Sequence, residues 1–196
     1  TKLPVSISDI SATYTSSGGS PSEENEEELF KLAAIEARAS TAAYMAQYVN
    51  QSGASIIYSK LQEHGVTCVN GFSGGAVLPL LDEFHYDHPR HARTGNKAIR
   101  WITNSNEGSS GYIAEGYAKS MPIDGEFKPV GVVVATSGPG VTNLITPLQD
   151  AMCDGVPMVV LCGQAATTAP SDAFQQAPAV DLCTPCTKWS YQIKSA

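Results

Sequence analysis

The spacing of apolar residues separates a weakly patterned beginning from a long stretch in which helical and strand periods alternate. Residues 1–19 are polar, contain Ser, Thr and Gly, and hold no sustained period, which predicts a flexible arm. From Ser20 the pattern turns helical. Ser20 suits an N-cap, Pro21 the first helical position and Glu23 a capping box, and the Ala-rich continuation favours a helix to about Val49. Glu23, Glu24, Glu26, Glu27 and Glu28 fall at its start, where the helix dipole favours negative charge. Such an acidic run reads as a solvated helix start more readily than as a docking surface.

Beyond Gly53 the two periods interleave. Helical spacing covers 54–64, 76–84, 107–120 and 141–152. Short apolar runs at 66–69, 98–103, 130–135 and 157–162 predict strands. None alternates in and out, as expected of parallel strands covered on both faces. Residues 85–96 form a polar loop containing Pro89. The regular order implies right-handed crossovers and an α/β fold: an open, mainly parallel sheet with helices on both faces. In such sheets ligands bind outside the carboxyl ends of the strands. Segments 70–75, 104–110, 136–140 and 163–176 all fall at such ends. The expected organisation is a flexible arm at 1–20, an acidic helix and linker at 21–52, and an α/β domain at 53–196.

Composition narrows the function. With 196 residues, 42% of them hydrophobic, the chain can build a core for one medium domain. A net charge of −7 argues against nucleic acid or an acidic membrane as partner. No apolar run reaches bilayer length, so a soluble protein is expected. The five cysteines are an odd number scattered in apolar segments, which suits reduced thiols in the cytoplasm or an organelle matrix. Thr1 stands where a Met would begin a chain, so the start is expected to be missing or processed, and an organelle-targeting remnant fits the acidic beginning poorly.

Four loops could carry chemistry. The first holds Gly74 and Gly75, which allow either a sharp turn or a close approach to a ligand. The second leads from Thr103 to Glu107, a carboxylate at a helix start among small residues. It reads equally as a dipole-stabilised cap or as a buried acid kept protonated by apolar surroundings. The third, Thr136-Ser137-Gly138-Pro139-Gly140-Val141-Thr142-Asn143, follows a buried strand and opens a helix, a context that suits phosphate. It matches neither the dinucleotide fingerprint nor the phosphate-loop lysine motif. The fourth runs from Gly163 and Gln164 to Gln176 and contains the large aromatic Phe174. Cys183 and Cys186 have redox or zinc spacing without a second pair, so a structural role is expected. His85, His88 and His91 cluster around Pro89 and read as an exposed loop rather than a metal site. Cys68, Cys153 and Cys162 read as small core residues.

Taken together, the segment from Ser137 to Asn143, then Asp150-Ala151, Asp154 to Val159, Gly163-Gln164, Asp172 to Gln175 and Cys186 to Trp189 closely resemble the acetolactate synthase (acetohydroxyacid synthase) family. The likeness spans residues 53–195. It implies the amino-terminal domain that binds the pyrimidine half of thiamine diphosphate. It also implies a carboligating enzyme that decarboxylates pyruvate and condenses it with a second 2-oxoacid, in branched-chain amino acid biosynthesis. By position, Glu107 matches the family's catalytic glutamate, which hydrogen-bonds a pyrimidine ring nitrogen and promotes loss of the thiazolium proton. Gly74 and Gly75 match its glycine turn near the reacting carbons. Pro139 and Asn143 match the stretch beside the pyrimidine. Phe174 and the second catalytic match, Gln175, lie on a loop that reaches the active site across a subunit interface. The resemblance further implies a homodimer or larger assembly, a possible regulatory subunit, and Mg2+ and FAD held by residues outside this chain.

This sequence departs from the family in places. Asn106 and Gly108 flank the glutamate where histidine and glutamine are usual. Phe72 and Ser73 replace tyrosine and proline, and Gln176 replaces an acid. Residues 122–128 read as an insertion. Asn106 brings to mind non-condensing 2-oxoacid decarboxylases of the wider superfamily, and a non-catalytic interaction module of the same fold is a third reading. The chain lacks a Gly-Asp-Gly segment with a downstream Asn, which would hold magnesium and the diphosphate. It is therefore expected either to be part of a longer protein or to have the remainder supplied separately, with no metal ligands of its own and no activity alone.

Overall fold

The computed structural model describes residues 23–89, 91, 98–120, 130–170 and 172–194. The chain divides into two compact units, residues 1–51 and 52–196. In the first unit, α1 (Glu23–Ala46) is a single helix, ending three residues before the expected Val49. The Ser20 and Pro21 start signals and the 1–19 arm lie outside the described residues, as does the insertion at 122–128. Lys31 and Glu27 pair at 2.8 Å on the exposed surface, and Tyr44 and Tyr48 meet edge to face at 5.6 Å.

The second unit contains α2 (Gly53–Glu63), β1 (Cys68–Gly71), a 3-10 turn (Gly75–Val77), α3 (Leu78–Phe84), β2 (Arg100–Thr103) and α4 (Glu107–Ser120). There follow β3 (Gly131–Ala135), α5 (Pro139–Thr142), α6 (Ile145–Cys153), β4 (Met158–Cys162), α7 (Ala179–Cys183) and a 3-10 turn at Thr184–Cys186. The four strands form one parallel sheet in the order β2-β1-β3-β4. The expected open α/β architecture is present.

The central strand β3 explains why the apolar run shows no alternation, since all five of its residues are buried. Val132 and Val134 face one core, with Tyr58 and Leu61 of α2 and Leu80 and Phe84 of α3. Val133 and Ala135 face the other, with Ala114 of α4, Leu144, Leu148 of α6 and Cys186. Each fully buried Val contributes about 2 kcal/mol through its area removed from water. The edge strands β2 and β4 are only partly covered, so burial on both faces holds for β1 and β3 alone. Tyr58, wholly buried, accepts a hydrogen bond from Ile99 N at 2.9 Å and so ties α2 to the chain entering β2.

Three boundaries differ from the pattern-based reading. The strand expected at 66–69 extends through Asn70 and Gly71, which pair with Ile102 and Thr103. A methyl group on Gly71 would lie 2.2 Å from Trp101 Cη2 and 2.4 Å from Val134 O, so this glycine serves packing within the sheet. The helix expected at 76–84 begins as a 3-10 turn, and the α-helix proper starts one residue before Pro79. The helix expected at 141–152 is two helices, α5 and α6. Pro147 has no N–H to give the Asn143 carbonyl, and its ring would crowd that carbonyl in a continuous helix. The chain therefore turns at Asn143 and Leu144 and restarts at Ile145.

Candidate active site

The carboxyl ends of β1, β2 and β3 bring three of the four suspected loops together. Glu107 is the first residue of α4 and is buried at 7% exposure. Asn106 caps that helix: its Oδ1 accepts a hydrogen bond from Ser109 N at 2.7 Å. The carboxylate therefore sits at the positive end of the helix. From the next loop, Asn143 Nδ2 donates to Glu107 Oε2 at 3.0 Å. Among the described residues no second hydrogen bond to this carboxylate is found. A methyl group placed on Gly140 would lie 3.4 Å from Glu107 Oε1 and 2.9 Å from Thr136 Cγ2, so Gly140 leaves the face of the carboxylate uncrowded.

Two turns close on this centre. Gly138 has φ +57° and ψ −112°, and a Cβ there would lie 2.4 Å from Gln175 O. Gln175 itself has φ +56°. The loop carrying Phe174 is thus seated backbone to backbone on the turn before Pro139, while Phe174 is 89% exposed and the Gln175 side chain is exposed as well. On the other flank, Gly74 meets Thr136 so closely that a Cβ on Gly74 would fall 2.3 Å from Thr136 Oγ1. Gly75 has open space around it. Thr136 is 6% exposed, and its buried hydroxyl has no hydrogen-bond partner among the described residues.

Of the residues expected at the site, Glu107 and Asn143 are in direct contact, Pro139 opens the short helix that delivers Asn143, and Gly74 joins through Thr136. Gln175 reaches the same region by its backbone only, and Phe174 beside it is exposed. Thr136, Gly140 and the Asn106 cap join the site without standing among the expected residues. Thr136 opens and Gly140 sits within the glycine-proline motif, and the polar residue before a helical glutamate is a capping signal.

The side constellations resolve differently. His88 and His91 are half-buried rather than exposed, because the rings pack together and His91 packs 5.5 Å from Tyr58. No group of His, Cys, Asp and Glu among the described residues could hold a metal ion. Cys186 is buried in the core with Cys162 and Cys183 beside it, and burial, reinforced by Cys183, pushes the Cys162 thiol up to about 12. Cys153, expected in the core, is exposed near the end of α6 and accepts from Gln149 Nε2. No helix among the described residues is long and apolar enough to cross a membrane.

Residues 51–182 match the family described as thiamine pyrophosphate enzyme, N-terminal TPP binding domain. The chain belongs to this family. Thiamine pyrophosphate is the cofactor also called thiamine diphosphate. The domain is 41% identical over 155 residues to the mitochondrial acetolactate synthase catalytic subunit of Aspergillus candidus, covering 76% of this chain and 19% of that protein. It is 39% identical to the mitochondrial acetolactate synthase catalytic subunit of Saccharomyces cerevisiae, over 76% of this chain and 20% of that one. Against the acetolactate synthase large subunit of Lactococcus lactis the identity is 41%, over 73% and 22%. The chain thus spans about a fifth of the length of these relatives. A solved structure described as a candidate thiamin diphosphate-dependent enzyme from Mycobacterium smegmatis shares the fold, with a TM-score of 0.60 at 20% identity over 74% of this chain and 25% of that one.

Proposed function

We propose that this TPP-binding domain supplies the pyrimidine-side half of the active site of an acetolactate synthase, which decarboxylates pyruvate and joins the product to a second 2-oxoacid. The buried Glu107 carboxylate at the mouth of the sheet, oriented by Asn143, carries this reading. Residues of this domain suit the aminopyrimidine ring. Glu107 offers Oε1 beside a glycine that leaves room, and Thr136 offers a buried hydroxyl without a partner among the described residues. The ring would be held by Glu107, with Pro139, Gly140, Asn143 and the Gly74–Gly75 turn around it. When bound, thiamine diphosphate supplies an acidic carbon and an electron sink for decarboxylation. Glu107 offers Oε1 for hydrogen bonding and proton exchange with a ring nitrogen. Asn143 keeps Oε2 occupied, so the carboxyl group presents one oxygen. Asn106 fixes the helix start from which the side chain projects.

Phe174 and Gln175 project from a loop whose backbone is seated on the site, and we assign them to the active site of a second copy in a homodimer or larger assembly. Mg2+ and FAD are assigned to sites of the complete enzyme outside this chain, and a regulatory subunit is a possible separate partner. An organelle matrix or the cytoplasm suits the chain, and the mitochondrial designation of its fungal relatives supports the former.

The test is product analysis with pyruvate, using the complete enzyme that contains this domain and its Glu107→Gln variant. Acetolactate is expected from the wild type and a large loss from the variant. Release of acetaldehyde without acetolactate would replace the reading with a non-condensing decarboxylase.

A further inference from the structure

One half-buried polar network beside Glu107 has no counterpart among the expected site residues. Asn104 follows β2, and its backbone N donates to Gly71 O of β1 at 3.0 Å. Its side-chain Nδ2 lies 3.1 Å from Ser110 Oγ, 3.4 Å from Ile102 O and 3.5 Å from Asn70 Oδ1. An amide carries two N–H donors, so the Ser110 contact is the strongest and the other two share what remains. Ser110 is wholly buried and Asn70 is 2% exposed. Ser110 Oγ donates onward to Asn106 O at 3.0 Å, and Ser110 N also bonds Asn106 O. One amide therefore gathers the ends of β1 and β2 and the first turn of α4. Glu107 lies midway along the chain between its two ends, Asn104 and Ser110.

We propose that Asn104 is the positioning residue for Glu107. The exposed Asn106 cap starts the helix but does not tie it to the sheet. Gly108 and Gly111 pack α4 closely against Asn143, Leu144 and Pro147, and the Asn104–Ser110 bond adds the polar tie from its first turn to the ends of β1 and β2, which sets where the carboxylate stands relative to Asn143. Without it, the first turn of α4 loses that anchor to the strand ends and shifts against the segment it packs on, and the Glu107–Asn143 bond is weakened. The effect on cofactor binding rests on the function proposed above. The hold on Glu107 does not.

The test follows the Asn143 side-chain amide by nitrogen–proton NMR in the purified chain. The variants are Asn104→Ala, Ser110→Ala, Glu107→Ala as the reference for a missing acceptor, and Leu61→Ala as a core lesion on the opposite face of the sheet. Asn104→Ala is expected to move the Asn143 signal toward its position in Glu107→Ala, and Leu61→Ala to leave it in place. Ser110→Ala breaks the same bond and gives the answer should Asn104→Ala fail to fold. In the complete enzyme that contains this domain, the affinity for thiamine diphosphate with Mg2+ is expected to weaken about tenfold in Asn104→Ala, because Glu107 no longer stands where the ring meets it. It should stay within about twofold in Leu61→Ala, as for independent distant sites. An unmoved Asn143 signal in Asn104→Ala and Ser110→Ala, or an equal movement in Leu61→Ala, overturns the proposal. A complete wild-type enzyme that binds no thiamine diphosphate counts against the proposed function, and the Asn143 signal in the chain still decides the role of Asn104.

Discussion

Asn143 donates to the Glu107 carboxylate at 3.0 Å although 36 positions separate them in sequence. The bond joins the segments that follow β2 and β3, the strands on either side of β1, and leaves one carboxylate oxygen facing Gly140. Replacing Glu107 by Gln keeps the shape and an acceptor for Asn143 but removes the exchangeable carboxyl proton. In the complete enzyme this substitution is expected to lower kcat by about a hundredfold to ten-thousandfold, the range for loss of a positioned acid–base group. Thermal unfolding of the variant should stay close to that of the wild type, which separates chemistry from folding.

The glycines of the first loop differ in what they allow. Gly74→Ala drives a methyl group into Thr136, and overpacking of this kind costs about 1–3 kcal/mol. Gly75→Ala meets open space and should change stability by no more than about 0.5 kcal/mol. Urea unfolding of the two variants side by side checks the contrast.

Tyr58→Phe tests the tie between α2 and the start of β2. It preserves the ring packed against Phe84 and removes the acceptor of Ile99 N, a buried donor. The expected loss is about 1–3 kcal/mol, the desolvation penalty of an unpaired group. A midpoint of unfolding equal to the wild type would mean that Ile99 N finds another acceptor.

The thiols should react in an order set by burial. Cys153 is exposed, whereas Cys68 and Cys186 are buried. Burial raises the thiols of Cys162, Cys183 and Cys186, so near pH 8 each holds less of the reactive thiolate than an ordinary cysteine. Alkylation followed by mass spectrometry should label Cys153 first. The Cys162 label should gain on the others as pH rises, because its thiolate forms only near the top of the accessible range.

Much of the fold was legible because burial and period agree here. β3 reads as an unbroken apolar run and is buried along its length, and α4 begins at Glu107, where small and polar residues mark a helix start. The chemistry-bearing loops were legible from their position after strands. What escaped was set by contacts between segments distant in sequence. Gly71 looked like part of a turn, yet crowding by Trp101 and Val134 requires a glycine inside the strand. Cys153 looked like a core residue because its neighbours are apolar, but it faces outward from α6. Asn104 and Thr136 are ordinary polar residues in a loop until the sheet brings Ser110, Asn70 and Gly74 against them.

Pro147 touches none of the polar atoms at the centre, yet it decides how they meet. Its missing donor ends α5 early, and its ring occupies the space that a side chain at Gly111 would need, with 2.4 Å between Pro147 Cγ and a Cβ built there. A residue with an N–H at 147 would restore a donor toward the Asn143 carbonyl and remove the ring on which Gly111 packs, the two constraints that bear on the segment carrying the Asn143 amide. Anyone diversifying this scaffold by randomising only the residues that line the cleft would pass over the lever that aims it.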